Sequence, residues 1–443
     1  LKIPLPQKKG LYIVDKILEK INHKRGTQAL PVVIFTVFLD VLGVGILMPV
    51  LPQLIYKIFI PAGYSYKGSL ILLGWLAAIY PLMQFLGTPI LGQLSDRYGR
   101  KKVLAFSLFG TVIGYILFAI AIITKNIPLL FISRGLDGLT GGNISVARAV
   151  IADVSPAKKR TQNFALIGAA FGIGFVFGPY IGARLAVPDV SFFGLFNTPH
   201  WFSSATPFWF TAILGFINML LVLFVLPETH KHINNKLKLT WTKSIDNIRR
   251  AATAPGLRVI FASEFAFWAG FSFFTTFFQV LLIQKLGFKV NNVGDFFAYI
   301  GIWVALTQGV ITPLLAKRGI KNYQILRVSL LGNAAALFLQ TIPNNTAQLL
   351  MTAPLISLFN GMTMANMSGL VSLSAGPKIQ GEVLGIEASV QALGQSLPAI
   401  IAGYIATMGV NVPIVVGGSV IAFGWLVFVV FYHPNEHVLH QES

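Results

Sequence analysis

The chain has 443 residues, 55% of them hydrophobic and only 11% charged, with a mean hydropathy of +0.71. A soluble domain carries about 25% charged residues, so a soluble enzyme built around one large core is excluded. Cysteine is absent, which removes disulfide frameworks and thiolate metal sites, and no H-E-x-x-H, Walker or G-x-S-x-G motif occurs.

Residues 1–29 open with a basic, amphipathic stretch, LYIVDKILEKINHKR, in which Leu11, Val14, Ile17, Leu18 and Ile21 recur at helical spacing. It is expected to lie along the inner membrane surface, and it does not read as a cleavable leader. Apolar runs follow at 30–58, 69–95, 101–124, 128–153, 161–186 and 207–227. After a polar segment they resume at 256–284, 293–316, 323–342, 346–374, 382–408 and 412–433. Each supplies the roughly 20 helical residues that a bilayer core requires, whereas barrel strands would alternate in short segments. The expected fold is an all-α polytopic membrane protein with about twelve transmembrane helices. Its parts are a six-helix bundle over 30–227, a cytoplasmic linker with a surface helix over 228–255, a second bundle over 256–433 and a tail over 434–443.

The formal net charge of +19 invites a nucleic-acid partner, but the cations fall on one side of this topology. The amino-terminal segment, RYGRKK, AKKR, the linker, KRGIK and Lys378 hold about 26 of the 34 Lys and Arg. The opposite loops hold Lys57, Lys67, Lys125, Arg184, Lys285 and Lys289. That asymmetry places both termini in the cytoplasm of an inner or plasma membrane, and the positive charge meets anionic lipid rather than nucleic acid.

The halves echo each other. The turn DRYGRKK has a degenerate counterpart in AKRGIKN, with Gly99 and Gly319 separated by 220 residues. FGPYIGA in the fifth span has a counterpart in SLPAIIAGYI, with Pro179 and Pro398 separated by 219. Two landmarks with one spacing indicate a duplicated six-helix unit, an architecture of secondary transporters with a midplane site.

Ionisable groups inside spans are expensive and therefore functional candidates. Asp40, Asp137, Glu264 and Glu387 qualify as proton-coupling groups. Asp40 is expected deep in the first span, with Glu264 at comparable depth in the seventh, so that each half offers an acid to a proton or a cationic substrate. A carboxylate held in a structural hydrogen bond is the plainer reading of each. Arg134 and Asp137, three residues apart, can face each other, either neutralising themselves or leaving Arg134 to act in the substrate cavity by tuning the nearby acids or holding an anionic substrate group. Gly135, Gly138, Gly141 and Gly142 give the fourth span a small face for close packing, and Arg148 lies nearer its cytoplasmic end. Glu387, Gln391 and Gln395 form a polar stripe that must face protein or a wet cavity. Tyr80, Gln84, Gln308 and Asn360 are further cavity candidates. The aromatics of FAFWAGFSFFTTFF surround the seventh span, which favours packing or lipid contact over drug stacking. The external loop VPDVSFFGLFNTPHWFSSATP is expected to lie at the interface.

In the charged turn, Arg97 and Arg100 can bridge to a carboxylate of a neighbouring span, with Asp153 the best placed. Gly92 and Gly99 permit close packing and a tight turn. Gly174, Gly178, Pro179 and Gly182 would bend the fifth span and let a neighbour approach.

GQLSDRYGRKKVL, residues 92–104, resembles the signature between the second and third helices of the major facilitator superfamily. LFISRGLDGLTGG looks like that family's fourth-helix motif, with Asp137 where Gln is usual. GFVFGPYIGA resembles the fifth-helix motif of its drug–proton antiporter branch, with Ala183 in place of the last Gly. LDVLGVGILMPVLP and VIADV add a likeness to tetracycline–proton antiporters. The resemblance implies a secondary transporter that works by alternating access and exports a moderately hydrophobic small molecule in exchange for protons. Asp40 would lead the coupling. The resemblance also implies a cytoplasmic gate in which Asp96 faces the start of the eleventh helix near Gly381 and the network favours the outward-facing state. Ala316 at the equivalent of Asp96 makes that gate one-sided. The partners are a small molecule, protons and membrane lipids, the protein acting as a monomer with no metal or organic cofactor and no enzymatic role. Proton symport or uniport of a sugar or other metabolite, and a non-transporting membrane subunit, are the competing readings.

Overall fold

A computed structural model describes residues 29–155, 160–192, 194–230, 239–254, 256–374 and 380–434. The amphipathic segment, Lys378 and the tail beyond residue 434 lie outside them. Among the described residues eight helices are long and apolar enough to cross a membrane. They are the first (Ala29–Phe59), second (Tyr66–Tyr98), third (Arg100–Thr124), fifth (Arg160–Leu185, of which Leu166–Leu185 is the apolar part) and sixth (Thr206–Phe224) spans in the first half. In the second half they are the seventh (Arg258–Leu286), eighth (Val290–Lys317) and twelfth (Val412–Phe431). Four more rods complete the set of about twelve: the interrupted fourth span, the ninth (Asn322–Leu339), the tenth (Thr346–Ser374) and the eleventh (Gln380–Ile405).

Three spans depart from a plain helix, each for a backbone reason. The first loses regular pairing over Met48–Val50, at Pro49 and just before Pro52, re-forms over Leu51–Leu54 and continues as a π-turn over Ile55–Phe59; proline cannot donate to the preceding turn. The eighth carries a π-turn over Thr307–Ile311 immediately before Pro313. The fourth, expected as one helix over 128–153, is two: Ile127–Thr140 and Asn143–Val154, broken at Gly141 and Gly142. There is no room for side chains at the break, since a Cβ on Gly141 would sit 2.8 Å from Asp137 O and one on Gly142 2.6 Å from Leu91 Cδ1.

Within each half neighbouring spans pack closely, the third on the sixth and the seventh on the twelfth. Between halves the second span packs on the eleventh and the fifth on the eighth. Exchanging the halves turns one of these contacts into the other, as the repeat predicts. Small residues make the crossings possible: a Cβ on Gly74 would lie 2.7 Å from Ala399 O, and one on Gly294 2.8 Å from Pro179 O. The turns repeat as well, Gly99 and Gly319 both having positive φ (98° and 75°), a conformation that costs glycine least.

The apolar core is divided. One cluster belongs to the second half and one to the first, while a third joins both halves at the end away from the basic turns, where Phe59, Leu70 and Phe208 meet Phe273, Phe277 and Ala402. At the basic end the halves are bridged instead by a short linker helix, Lys243–Thr253, which contacts the second, seventh and eleventh spans. Ser244 donates to Phe85 O at 2.7 Å and Asn247 to Ser389 Oγ at 2.9 Å. One face of this helix is thus held to the spans by buried polar contacts, while Ile245 and Arg249 on the other face are exposed. The aromatic external loop folds in part into a two-residue hairpin, Ser191–Phe192 with Phe196–Asn197.

Candidate functional site

The break in the fourth span builds the polar centre of the first half. Gly141 and Gly142 end one helix, and Asn143 opens the next with its side chain turned to the first span, where Nδ2 donates to Asp40 Oδ1 at 2.8 Å. The Asn143 Oδ1 meets the Ser107 hydroxyl, which also contacts Thr140 O. Gln84 of the second span donates to Gly141 O at 2.9 Å, satisfying a carbonyl that the break sets free. One turn earlier, Arg134 Nη1 pairs with Asp137 Oδ2 at 2.8 Å, and the guanidinium lies over the Tyr80 ring, 4.3 Å from its centre. Both side chains of that pair are less than 10% exposed. A small cavity next to this network is lined by Asp40, Leu108, Thr111, Tyr115, Thr211 and Asn218. Asp40, Tyr80, Gln84, Arg134 and Asp137 are thus brought together, with Asn143 and Ser107 as members that the sequence reading missed. The signal for Asn143 was there: a lone amide directly after two glycines inside an apolar run.

The second half has a different centre. Glu264 and Glu387 approach from the seventh and eleventh spans and interact electrostatically. Glu387 accepts from Ser368 of the tenth span, and the Trp268 indole lies beside Glu264. Asp40 and Glu264 sit at similar places in the packing: Gly174 of the fifth span meets Val41, next to Asp40, and Gly394 of the eleventh meets Phe265 O, next to Glu264. Asn360 is buried, and Gln308, Gln391 and Gln395 are half-buried with no side-chain hydrogen bond to another described residue. Gln391 lies one turn after Glu387 on the eleventh span.

At the basic end Arg100 bridges Asp96 at 2.6 Å and Asp153 at 3.2 Å. Arg97, expected to share that role, stacks on Tyr98 at 5.1 Å instead. All three bridged residues belong to the first half, so this network staples the second, third and fourth spans of one bundle. The sequence reading missed Glu228, whose carboxylate accepts from the backbone N–H groups of Arg100 (2.9 Å) and Lys101 (3.2 Å) and so caps the third span. A Cβ on Gly99 would collide with that carboxylate, while none of the described atoms lies within 4 Å of a Cβ on Gly92. Gly92 therefore does not serve close packing here, because it faces open space.

The fifth-span glycines form one seam. A Cβ on Gly174 would sit 2.9 Å from Val41 Cβ, on Gly178 2.8 Å from Leu42 O and on Gly182 2.5 Å from Ile46 O, all on the first span, and Pro179 packs against Gly45. Near the far end of the same span, Arg184 reaches across the halves to Asp295 of the eighth at 2.8 Å and lies over Tyr180. Asp295 was overlooked because it stands so near the end of a span.

Comparison with known proteins agrees with this architecture. The model of the Major Facilitator Superfamily matches residues 33–397. The tetracycline resistance protein, class E, of Escherichia coli is 31% identical over 356 residues, covering 79% of this chain and 81% of that protein. Among solved structures, the human organic anion transporter MFSD10 (TETRAN) has a TM-score of 0.72 at 22% identity, over 91% of this chain and 99% of its own. A D-xylose–proton symporter has a TM-score of 0.73 at 15% identity, over 92% and 98%. At such identities the two structures speak to the fold alone. With family, fold and repeat in agreement, the chain is a multi-pass membrane protein and belongs to the Major Facilitator Superfamily of transporters.

Proposed function

We propose that the protein exports a moderately hydrophobic small molecule across an inner or plasma membrane in exchange for protons, by alternating access, with both termini in the cytoplasm. The observation that carries this reading is Asp40: a carboxylate in mid-span, beside a small cavity, with one described side-chain donor, Asn143. A scaffold has no use for an acid there, since ionisable groups within spans are costly. The tetracycline resistance relatives support drug efflux as the direction, and the intact fifth-span seam is compatible with it. Asp40 would take and release the coupling proton. Asp137, Glu264 and Glu387 would assist, Arg134 would tune the first-half acids, and the Arg100 staple would hold the basic end of the first bundle as it moves.

The test is purified protein in liposomes with a trapped pH dye, an imposed proton gradient and a drug panel that includes a tetracycline. Antiport predicts drug-dependent proton movement opposite to the drug, abolished in Asp40→Asn. Proton and solute moving together would make the protein a symporter, and activity unchanged in Asp40→Asn would remove Asp40 from the coupling role.

A further inference from the structure

The cavity beside Asp40 lies inside the first bundle and not between the halves. Asp40 comes to it from the first span, Thr111 and Tyr115 from the third, Thr211 and Asn218 from the sixth, and the other lining residues belong to the same three spans. It gives a water-sized sphere about 20 Å³, where roughly 10–15 Å³ is enough to hold one water molecule. Two lining side chains carry buried polar atoms that no described residue meets, Thr111 Oγ1 and Asn218 Nδ2. Asn218 is 1% exposed and Thr111 6%, a setting in which an unpaired polar atom is costly.

The chemistry of these groups selects the ligand. The Thr36 hydroxyl meets Asn218 Oδ1 at 3.1 Å, which leaves the amide nitrogen in need of an acceptor. Thr211 spends its hydrogen on Pro207 O at 2.8 Å. Asp40 offers an acceptor, and the Tyr115 hydroxyl lies so close to the first span that a Cβ on Gly43 would collide with it. A water molecule matches this set, accepting from Asn218 and giving its two hydrogens to Asp40 and Thr111. A proton on Asp40 alone would leave Asn218 unmet, and a metal ion is disfavoured by an N–H donor at the site.

Thr111 carries the site further. It stands one turn before Gly114 on the same face of the third span, and a Cβ on Gly114 would lie 2.8 Å from Asp137 Cβ. The Thr111 side chain thus stands between the cavity and the Asp137 carboxylate, on which its hydroxyl acts. We propose that a water molecule bound in this cavity relays a proton between Asp40 and Asp137 through the Thr111 hydroxyl, wholly inside the first bundle. Protonated Asp40 passes its hydrogen to the water, the water passes one of its own to Thr111 Oγ1, and the Thr111 hydrogen goes to Asp137; the reverse sequence restores the start. Proton number and net charge are conserved, and Arg134, 2.8 Å from Asp137, stabilises that acid whenever it is ionised. Tyr80 and Tyr115 are the other ionisable groups around the path. Substrate can then meet Asp40 from between the halves while the proton is held behind it, on a residue of the same bundle. The inference rests on the transport reading above and specifies where the coupling proton goes.

Infrared difference spectra of the purified protein in lipid, taken between low and high pH, test this without drug or gradient, so the relay can fail while drug-driven proton exchange stands. Ionising Asp40 should remove a carboxyl C=O band that Asp40→Asn lacks, and with it should change a water O–H band that shifts in heavy-oxygen water. Thr111→Val and Asn218→Leu, each close in shape to the original, should erase the water band, and Thr111→Ser should keep it. When the protonated protein is moved into deuterium oxide, the Asp137 carboxyl band, assigned with Asp137→Asn, should exchange at least about tenfold more slowly in Thr111→Val than in wild type, with the Asp40 band unaffected. A wild-type spectrum with no heavy-oxygen-sensitive band tied to Asp40 would overturn the proposal, as would a band that depends on sodium in place of choline. So would a water band retained in folded Thr111→Val or Asn218→Leu, or Asp137 exchange unchanged by Thr111→Val. If neither variant folds, the wild-type water band decides alone.

Discussion

In the first half every intramembrane acid has a partner from its own bundle: Asn143 donates to Asp40 and Arg134 pairs with Asp137, each at 2.8 Å. In the second half Glu264 and Glu387 each leave Oε2 without a described donor, and the cation that acts on both, Arg148, belongs to the other bundle. The duplicated unit has thus kept its helix packing while its charges diverged. A satisfied buried network rigidifies the bundle that carries it, whereas a buried acceptor left without a donor is costly. The same contrast runs through the ends of the molecule. The Asp96–Arg100–Asp153 staple stays within one half, and Arg184–Asp295 joins the two.

The comparison can be broken most forcefully at Arg134. Removing one member of a buried ion pair costs about 3–5 kcal/mol, so Arg134→Ala should lower the melting temperature in detergent more than any other change considered. Arg134→Ala with Asp137→Asn should recover much of the loss, since the stranded charge is gone. A single variant as stable as wild type would deny the pair its structural role. Asn143→Ala comes next. It strips Asp40 of its donor, at a cost of about 1–3 kcal/mol, and should also reduce drug-dependent proton movement in liposomes. An effect on stability with full transport would make Asn143 a packing residue only.

Glu264→Gln sharpens the contrast by its sign. It replaces a buried acid whose Oε2 has no described donor and keeps the shape, so unfolding measurements should find it within about 1 kcal/mol of wild type or more stable. A loss as large as that of Arg134→Ala would mean that the second-half acids are paired after all. The smallest effect is expected at Arg97→Ala, within about 0.5 kcal/mol, because among the described residues the ion pairs of that turn are made by Arg100. Arg100→Ala measured beside it should be the more damaging.

Much of the architecture was legible from the residues themselves. Spans of about 20 apolar residues must be helices in hydrocarbon, where no water pairs the backbone, and the repeat could be read from Gly99 with Gly319 and from Pro179 with Pro398 because turns and kinks depend on local backbone chemistry. Arg134 and Asp137 were readable as a pair for the same reason, lying three apart on one helix. The charge asymmetry likewise gave an orientation without any coordinates.

What only the tertiary structure decided were the meetings of residues far apart in the chain. Asn143 reaches Asp40 because two glycines with no room for a Cβ end the fourth helix early and redirect its continuation. Arg97 and Arg100 looked equivalent in the turn, and Glu228, arriving from the end of the sixth span, caps the helix on which only Arg100 faces Asp153. Ser368 of the tenth span meets Glu387 of the eleventh, a contact that only the packing of those two spans could set. Sequence determines which side chains a helix carries and how they are spaced along it. Which of them share a layer depends on how the helices cross and tilt, and that is settled by contacts between spans.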